Sequence, residues 1–206
     1  MARITASAKQ EARQRLLEAA AQHFADHGLD GANVDAISLD AGFAKGTLYN
    51  YFQSKEQLFA EVLAEACRRA LEIYAAAESL GSVRERLCSL AAADVEVLRH
   101  QEGFQKVLIR EAMSFRKKTY PLLAEHLNPF LTKVEQILAD GVGTGEVREN
   151  QPTDQLALMF VGILTLLYVH HWGSEGVWPD LGDIPDLAVS SFLDGAGRTP
   201  QPASER

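Results

Sequence analysis

VDAISLDAGFAKGTLYNYFQSK, residues Val34 to Lys55, decides how the rest of the chain is read. Val34, Ile37 and Ala41 recur at helical spacing and give one short helix an inward face. Asn33, just before it, suits an N-cap because its side-chain oxygen can accept from the first free backbone N–H groups. Gly42 then stops the helix, since glycine tolerates the left-handed backbone of a sharp reversal, and Phe43 plugs the angle that follows. A second helix is predicted from Ala44, anchored by Leu48 and Phe52 four residues apart. That leaves Lys45, Thr47, Tyr49, Asn50 and Tyr51 for the outer surface. Lysine brings charge to phosphates, while hydroxyls and an amide reach phosphate oxygens or base edges. Two short helices around a glycine turn with a basic, aromatic tip make a helix-turn-helix, whose partner is double-stranded DNA.

Glycine inside a helix costs roughly 1 kcal/mol relative to alanine, so Gly46 needs its own explanation. Two remain open: close approach of another backbone, or a place in the first turn, where the penalty is small.

AGFAKGTLYNYFQSKEQLF, Ala41 to Phe59, resembles the signature of the TetR family of bacterial transcriptional regulators. The likeness extends upstream through RLLEAAAQHFADHGLDGANVDAIS, Arg15 to Ser38, and so covers the first sixty residues or so. Its specificity lies in the combination of a helix ending at glycine, the K-G-T-L-Y run and the F-x-S-K-E boundary at fixed spacings. The resemblance implies an all-α fold of about nine helices, with an N-terminal three-helix helix-turn-helix domain over 1–53 and a C-terminal helical ligand-binding and dimerisation domain over 54–196. It also implies a homodimer, formed through the last two helices, that releases a pseudo-palindromic operator when a small-molecule effector enters the C-terminal domain. Against the family pattern, Ala44 replaces a common serine and forgoes a cap worth about 1 kcal/mol. Ser38 stands where alanine is usual and Ala32 where threonine is common.

With 206 residues the chain can bury a substantial core, and it fits a small DNA-binding module plus a larger domain. A formal net charge of −8 looks wrong for a DNA binder until its distribution is followed. Arg3, Lys9, Arg13 and Arg15 face only Glu11 at the N-terminal end, Lys45 and Lys55 lie in the proposed surface, and the acidic excess sits mostly downstream. Cys67 and Cys88 offer neither a metal-ligand spacing nor a disulfide framework and read as small buried hydrophobes. The N-terminus is polar rather than apolar, so no secretion signal opens the chain and a cytoplasmic protein is expected. The apolar run Leu156 to Val169 falls short of a membrane span and reads as a buried helix.

Helices and stops follow in order. The first is predicted from Lys9 to His27, with Leu17, Ala20, Ala21 and Phe24 as its stripe and Gly28 as its end. Ser54 with Gln57 opens a long helix toward Ser79 that joins the two domains, and Ser82 with Glu85 opens another to Arg99. FQKVLIREAMSF continues the pattern after Gly103. The next helix is kinked or restarted at Pro129 and ended by the GVGTG turn, which lacks the features of a phosphate loop. Thr153 caps an apolar helix carrying LALMFVGILTLLYVHHW, covered on one side by its own core and on the other by a partner, with Ile184 to Leu193 close by. The tail over 197–206 is expected to be disordered.

The sequence-level DNA-contact set is Asn33, Lys45, Gly46, Thr47, Tyr49, Asn50, Tyr51 and Lys55. Lys55 opposes the dipole of the helix it begins yet suits a phosphate at that N-terminus. For the effector, Phe104, Leu108, Phe115, Phe130, Tyr168 and Trp172 line a cavity or are plain core. Glu111 meets a ligand donor, or pairs with Arg110 or Arg116. His170 and His171 point about 100° apart on a helix and take structural or interface roles rather than share a metal. No catalytic residue, metal or cofactor is expected. Enzymatic use of Glu111, His170 and His171 lacks an accompanying nucleophile, and the other competitor is a DNA-binding factor that answers to a protein partner or acts architecturally.

Overall fold

The computed structural model describes residues 6–76, 80–114, 117 and 120–195. Their regular elements are all helical: α1 (Ala6–Gly31), α2 (Val34–Asp40), a 3₁₀ turn (Thr47–Asn50), α3 (Lys55–Ala76), α4 (Val83–Met113), α5 (Tyr120–Thr144), α6 (Thr153–Gly173) and α7 (Ile184–Leu193). The all-α class is as expected. Seven α-helices and one 3₁₀ turn among the described residues replace the predicted nine, and the causes are local. The second helix of the helix-turn-helix closes only as a four-residue 3₁₀ turn. The two helices expected on either side of Gly103 run on as α4, their junction a non-helical break at Gln101 (φ −144°, ψ 37°). α5 runs on across Pro129 and through Gly141 and Gly143 to end at Thr144. α1 breaks at its predicted stop, Gly28 leaving helical angles (φ 68°, ψ 177°), and a last helical stretch follows to Gly31.

The described residues form two compact units. The first draws on Met1–Ala76 and Glu96–Phe130, the second on Ala77–Val95 and Leu131–Arg206. In the first, the predicted α1 stripe of Leu17, Ala20, Ala21 and Phe24 is buried together with Leu16. It packs with Ile37, Leu48, Phe52, the α3 side chains Leu58, Phe59, Val62 and Leu63, and Phe104, Val107 and Leu108 of α4. Phe24 meets Phe59 edge-on at 5.0 Å, the geometry aromatic quadrupoles favour. Arg110 of α4 donates through Nη1 to the carbonyls of Ala25 (3.0 Å) and Asp26 (3.2 Å), satisfying acceptors just before the break at Gly28. All of α3 belongs to this unit. Its start is capped as expected by Ser54 Oγ, which accepts from the Gln57 N–H at 3.1 Å, but Gln57 Oε1 accepts from Gln53 rather than from Ser54.

In the second unit Ser82 and Glu85 close a complete capping box, with Glu85 N–H to Ser82 Oγ at 3.3 Å and Ser82 N–H to Glu85 Oε2 at 2.8 Å. Those bonds from Ser82 hold the Glu85 carboxyl below its ordinary range. Ala157, Phe160, Leu164 and Tyr168 make up the buried face of α6. Phe160 meets Phe192 of α7 at 5.4 Å, and the Tyr168 hydroxyl donates to buried Asp94 at 2.7 Å. Thr153 is the first helical residue and no cap: Pro152 holds the N-cap position without a side-chain bond.

Two expectations about burial change. α6 spans 21 residues and is long and apolar enough, by length and composition alone, to cross a bilayer, a test that core helices of other proteins also pass. It is not buried all round, since Leu158, Met159, Leu166 and Val169 are exposed. Cys67 and Cys88 are only partly buried. Burial still pushes the Cys67 thiol up to about 12 and raises that of Cys88, so both stay protonated and poorly nucleophilic.

Candidate nucleic-acid interface

The reading head is assembled by two glycines. Asn33 caps α2 as its sequence suggested, its Oδ1 accepting from the N–H groups of Asp35 (2.8 Å) and Ala36 (3.2 Å). At the other end Gly42 takes φ 80°, and the reversal is closed by Gly42 N–H to Leu39 O (2.8 Å) and Phe43 N–H to Ser38 O (2.9 Å). That pair of bonds is a Schellman motif, which needs the left-handed residue where the glycine stands. His23 of α1 meets Asp40 at 2.6 Å, and Arg15 lies over the Phe43 ring at 5.0 Å, so the turn is held from α1.

Gly46 fits neither sequence-level explanation. A Cβ there would meet nothing within 4 Å, so no backbone crowds it. It instead adopts φ 76°, ψ −5° as the N-cap of the 3₁₀ turn, a left-handed conformation that side chains disfavour. Gly46→Ala is therefore expected to lower stability by about 1–2 kcal/mol, read as a shift in the denaturation midpoint. An unchanged midpoint would mean that the tip relaxes at no cost.

Leu48 and Phe52 are fully buried under the turn, as predicted. Lys45, Tyr49 and Asn50 are exposed, Tyr49 by 57%, and Thr47 is half-exposed. Tyr51 is half-buried and packs on the core of the first unit, so only part of it faces outward. Lys55 is anchored locally. Its ammonium donates to the carbonyls of Asp30 (3.0 Å) and Ala32 (3.2 Å), tying the end of α1 to the start of α3 and using two of its three donors. Arg13 pairs with Glu61 and lies over the Phe52 ring, while Arg3 falls outside the described residues.

Ser38, the departure from the family pattern inside α2, is completely buried, and its hydroxyl has no hydrogen-bond partner among the described residues. Such a group loses its water without compensation. Ser38→Ala is expected to stabilise the protein by about 1 kcal/mol, raising Tm by roughly 2–4 °C. A drop in Tm would reveal a partner for the hydroxyl.

The effector candidates divide between the units. Phe104, Leu108 and Glu111 are buried in the first, as is Phe130, whose ring meets Tyr74 at 4.8 Å. Tyr168 and Trp172 belong to the second, their rings 6.4 Å apart. Phe115, Arg116 and the 197–206 tail lie outside the described residues. Arg110 is turned to the α1 carbonyls rather than to Glu111, which accepts from the Ser114 hydroxyl at 3.4 Å. His170 and His171 each place Nδ1 within 2.9 Å of a backbone carbonyl, of Trp178 and Pro179. Carbonyls only accept, so both rings carry the proton on Nδ1 and pin the loop after α6, a structural use. Gln101 and Gln105 were missed from sequence because glutamine in a helix reads as solvent-facing, yet both are buried.

Residues 16–62 match the family model described as bacterial regulatory proteins, tetR family. Over 180 residues the chain is 32% identical to the transcriptional repressor KstR2 of Mycolicibacterium smegmatis, covering 85% of this chain and 86% of that protein. The chain belongs to the TetR family. It is a DNA-binding transcriptional regulator and not an enzyme. The TetR fold is equally evident in solved structures. FadR of Bacillus subtilis, crystallised with stearoyl-CoA, superposes with a TM-score of 0.70 at 22% identity, covering 89% of this chain and 99% of that one. AibR, solved with isovaleryl coenzyme A and operator DNA, gives 0.75 at 18% identity, covering 88% and 98%.

Proposed function

We propose that the protein is a ligand-responsive, dimeric repressor released from a pseudo-palindromic operator by a small hydrophobic or aromatic effector. The observation that carries the DNA half is the exposed trio Lys45, Tyr49 and Asn50 on a turn locked by Gly42 and Gly46. Thr47, the Asn33 amide nitrogen, the Gly46 backbone and the third donor of Lys55 complete the contact surface, and Tyr51 supports it from beneath. Two such heads enter successive major grooves about one helical turn apart.

Leu158, Gly162, Leu166 and Val169 lie at helical spacing along the exposed face of α6. A second copy covering that face would remove it from water at roughly 1.5–3 kcal/mol per fully buried leucine, which supports a homodimer through α6 and α7. The functional division is 1–53 for reading DNA and 54–196 for ligand and dimer, in the cytoplasm. The complexes of FadR with stearoyl-CoA and of AibR with isovaleryl coenzyme A support an effector with an apolar portion. A coupling of about 1–3 kcal/mol between effector and operator suffices for several-fold changes in occupancy.

Selection of bound duplexes from a random library by the purified protein tests this reading. Enrichment of a two-fold repeat is expected. No enrichment with a folded dimer would move the architectural alternative ahead.

A further inference from the structure

α4 carries two buried amides with unmet hydrogen-bonding groups. Gln101 and Gln105 are 6% and 7% exposed, and neither Gln101 Oε1 nor Gln105 Nε2 has a partner among the described residues. Folding leaves few such atoms, because each gives up water for nothing in return, and two on one helix four residues apart call for a common cause. Gln101 is also where α4 departs from helical angles. Exchanging the oxygen and nitrogen of both amides would swap which residue donates, and exchanging one alone would make the two buried atoms alike; as placed they are one acceptor and one donor. Phe104 and Leu108, both buried, are their apolar neighbours along the same helix. The bases of this segment are engaged elsewhere, Lys106 with Glu102 at 2.7 Å and Arg110 with the α1 carbonyls.

We infer that Gln101 and Gln105 hold an uncharged effector group that both donates and accepts, a hydroxyl or an amide, with the apolar body of the effector against Phe104 and Leu108. This rests on the ligand-responsive reading above. A hydroxyl or amide satisfies both orphans at once. A carboxylate has no proton for Gln101 Oε1 and finds no uncommitted base in this segment, and an ester only accepts. The same stretch of α4 carries Arg110, so a group seated on the two amides acts on the helix that holds the end of α1.

The test uses the full-length protein bound to its selected operator and two matched probe sets, one on a decyl chain and one on a phenylpropyl body. Each set ends in a primary amide, an alcohol, a methyl ester or a carboxylate. The amides or alcohols of at least one set are expected to release operator at concentrations at least ten-fold below their ester and carboxylate counterparts. In Gln101→Leu/Gln105→Leu, and in Gln105→Leu alone should the pair fold poorly, that preference is expected to shrink to within two-fold. Operator affinity without probe is expected to stay unchanged. Preference retained in the variants, or wild-type release by esters and carboxylates at equal or lower concentration, overturns the assignment while leaving ligand response intact. Release by no probe in either set counts against the assignment and against ligand response by such small apolar molecules alike.

Discussion

Leu158→Glu combined with Leu166→Glu is expected to yield a folded monomer whose operator affinity falls by roughly 10²–10⁴-fold. Both leucines are 62% exposed in the single chain, so the substitutions remove little of its own core. Across a two-fold seam, however, each carboxylate occurs twice and faces an apolar surface where it has neither water nor a partner. Once the dimer parts, the second reading head loses the high effective concentration that the first supplies. Sedimentation and operator titration check both halves of the expectation. A dimer that persists would place the interface on another face.

Lys45→Ala with Tyr49→Ala is expected to weaken operator binding by about 10–100-fold while leaving Tm unchanged, because both side chains are exposed. The loss has two signatures. Removing the lysine from both protomers should flatten the plot of log affinity against log salt by about two, one per lost phosphate contact. Removing the tyrosine, if its hydroxyl reads a base edge, should relax discrimination at one position in each half-site. Undiminished affinity across salt concentrations would take these residues out of the interface. Lys55 is a poorer probe, since its bonds to the Asp30 and Ala32 carbonyls mix stability with binding.

Most of the reading head was legible because its signals are local. Asn33 before Val34 caps a helix through bonds spanning three residues, and Ala41-Gly42-Phe43 closes a Schellman motif within one turn. Ser82 and Glu85 cap in the same way. The spacing of Leu48 and Phe52 placed both inward without knowledge of the rest of the molecule. Gly46 was misjudged because a glycine's sequence context does not reveal the sign of its φ.

Chain order alone thus determined the helical class, the glycine turn, the family and the basic aromatic tip, all of which depend on groups a few residues apart. Tertiary structure decided what long-range neighbours do to side chains. It turned Tyr51 onto the core and drew Lys55 to the carbonyls at the end of α1. It also sent Arg110 to α1 across more than eighty residues of chain. The burial of Gln101 and Gln105 was likewise invisible beforehand, because whether a polar side chain keeps its water depends on which distant elements close over it.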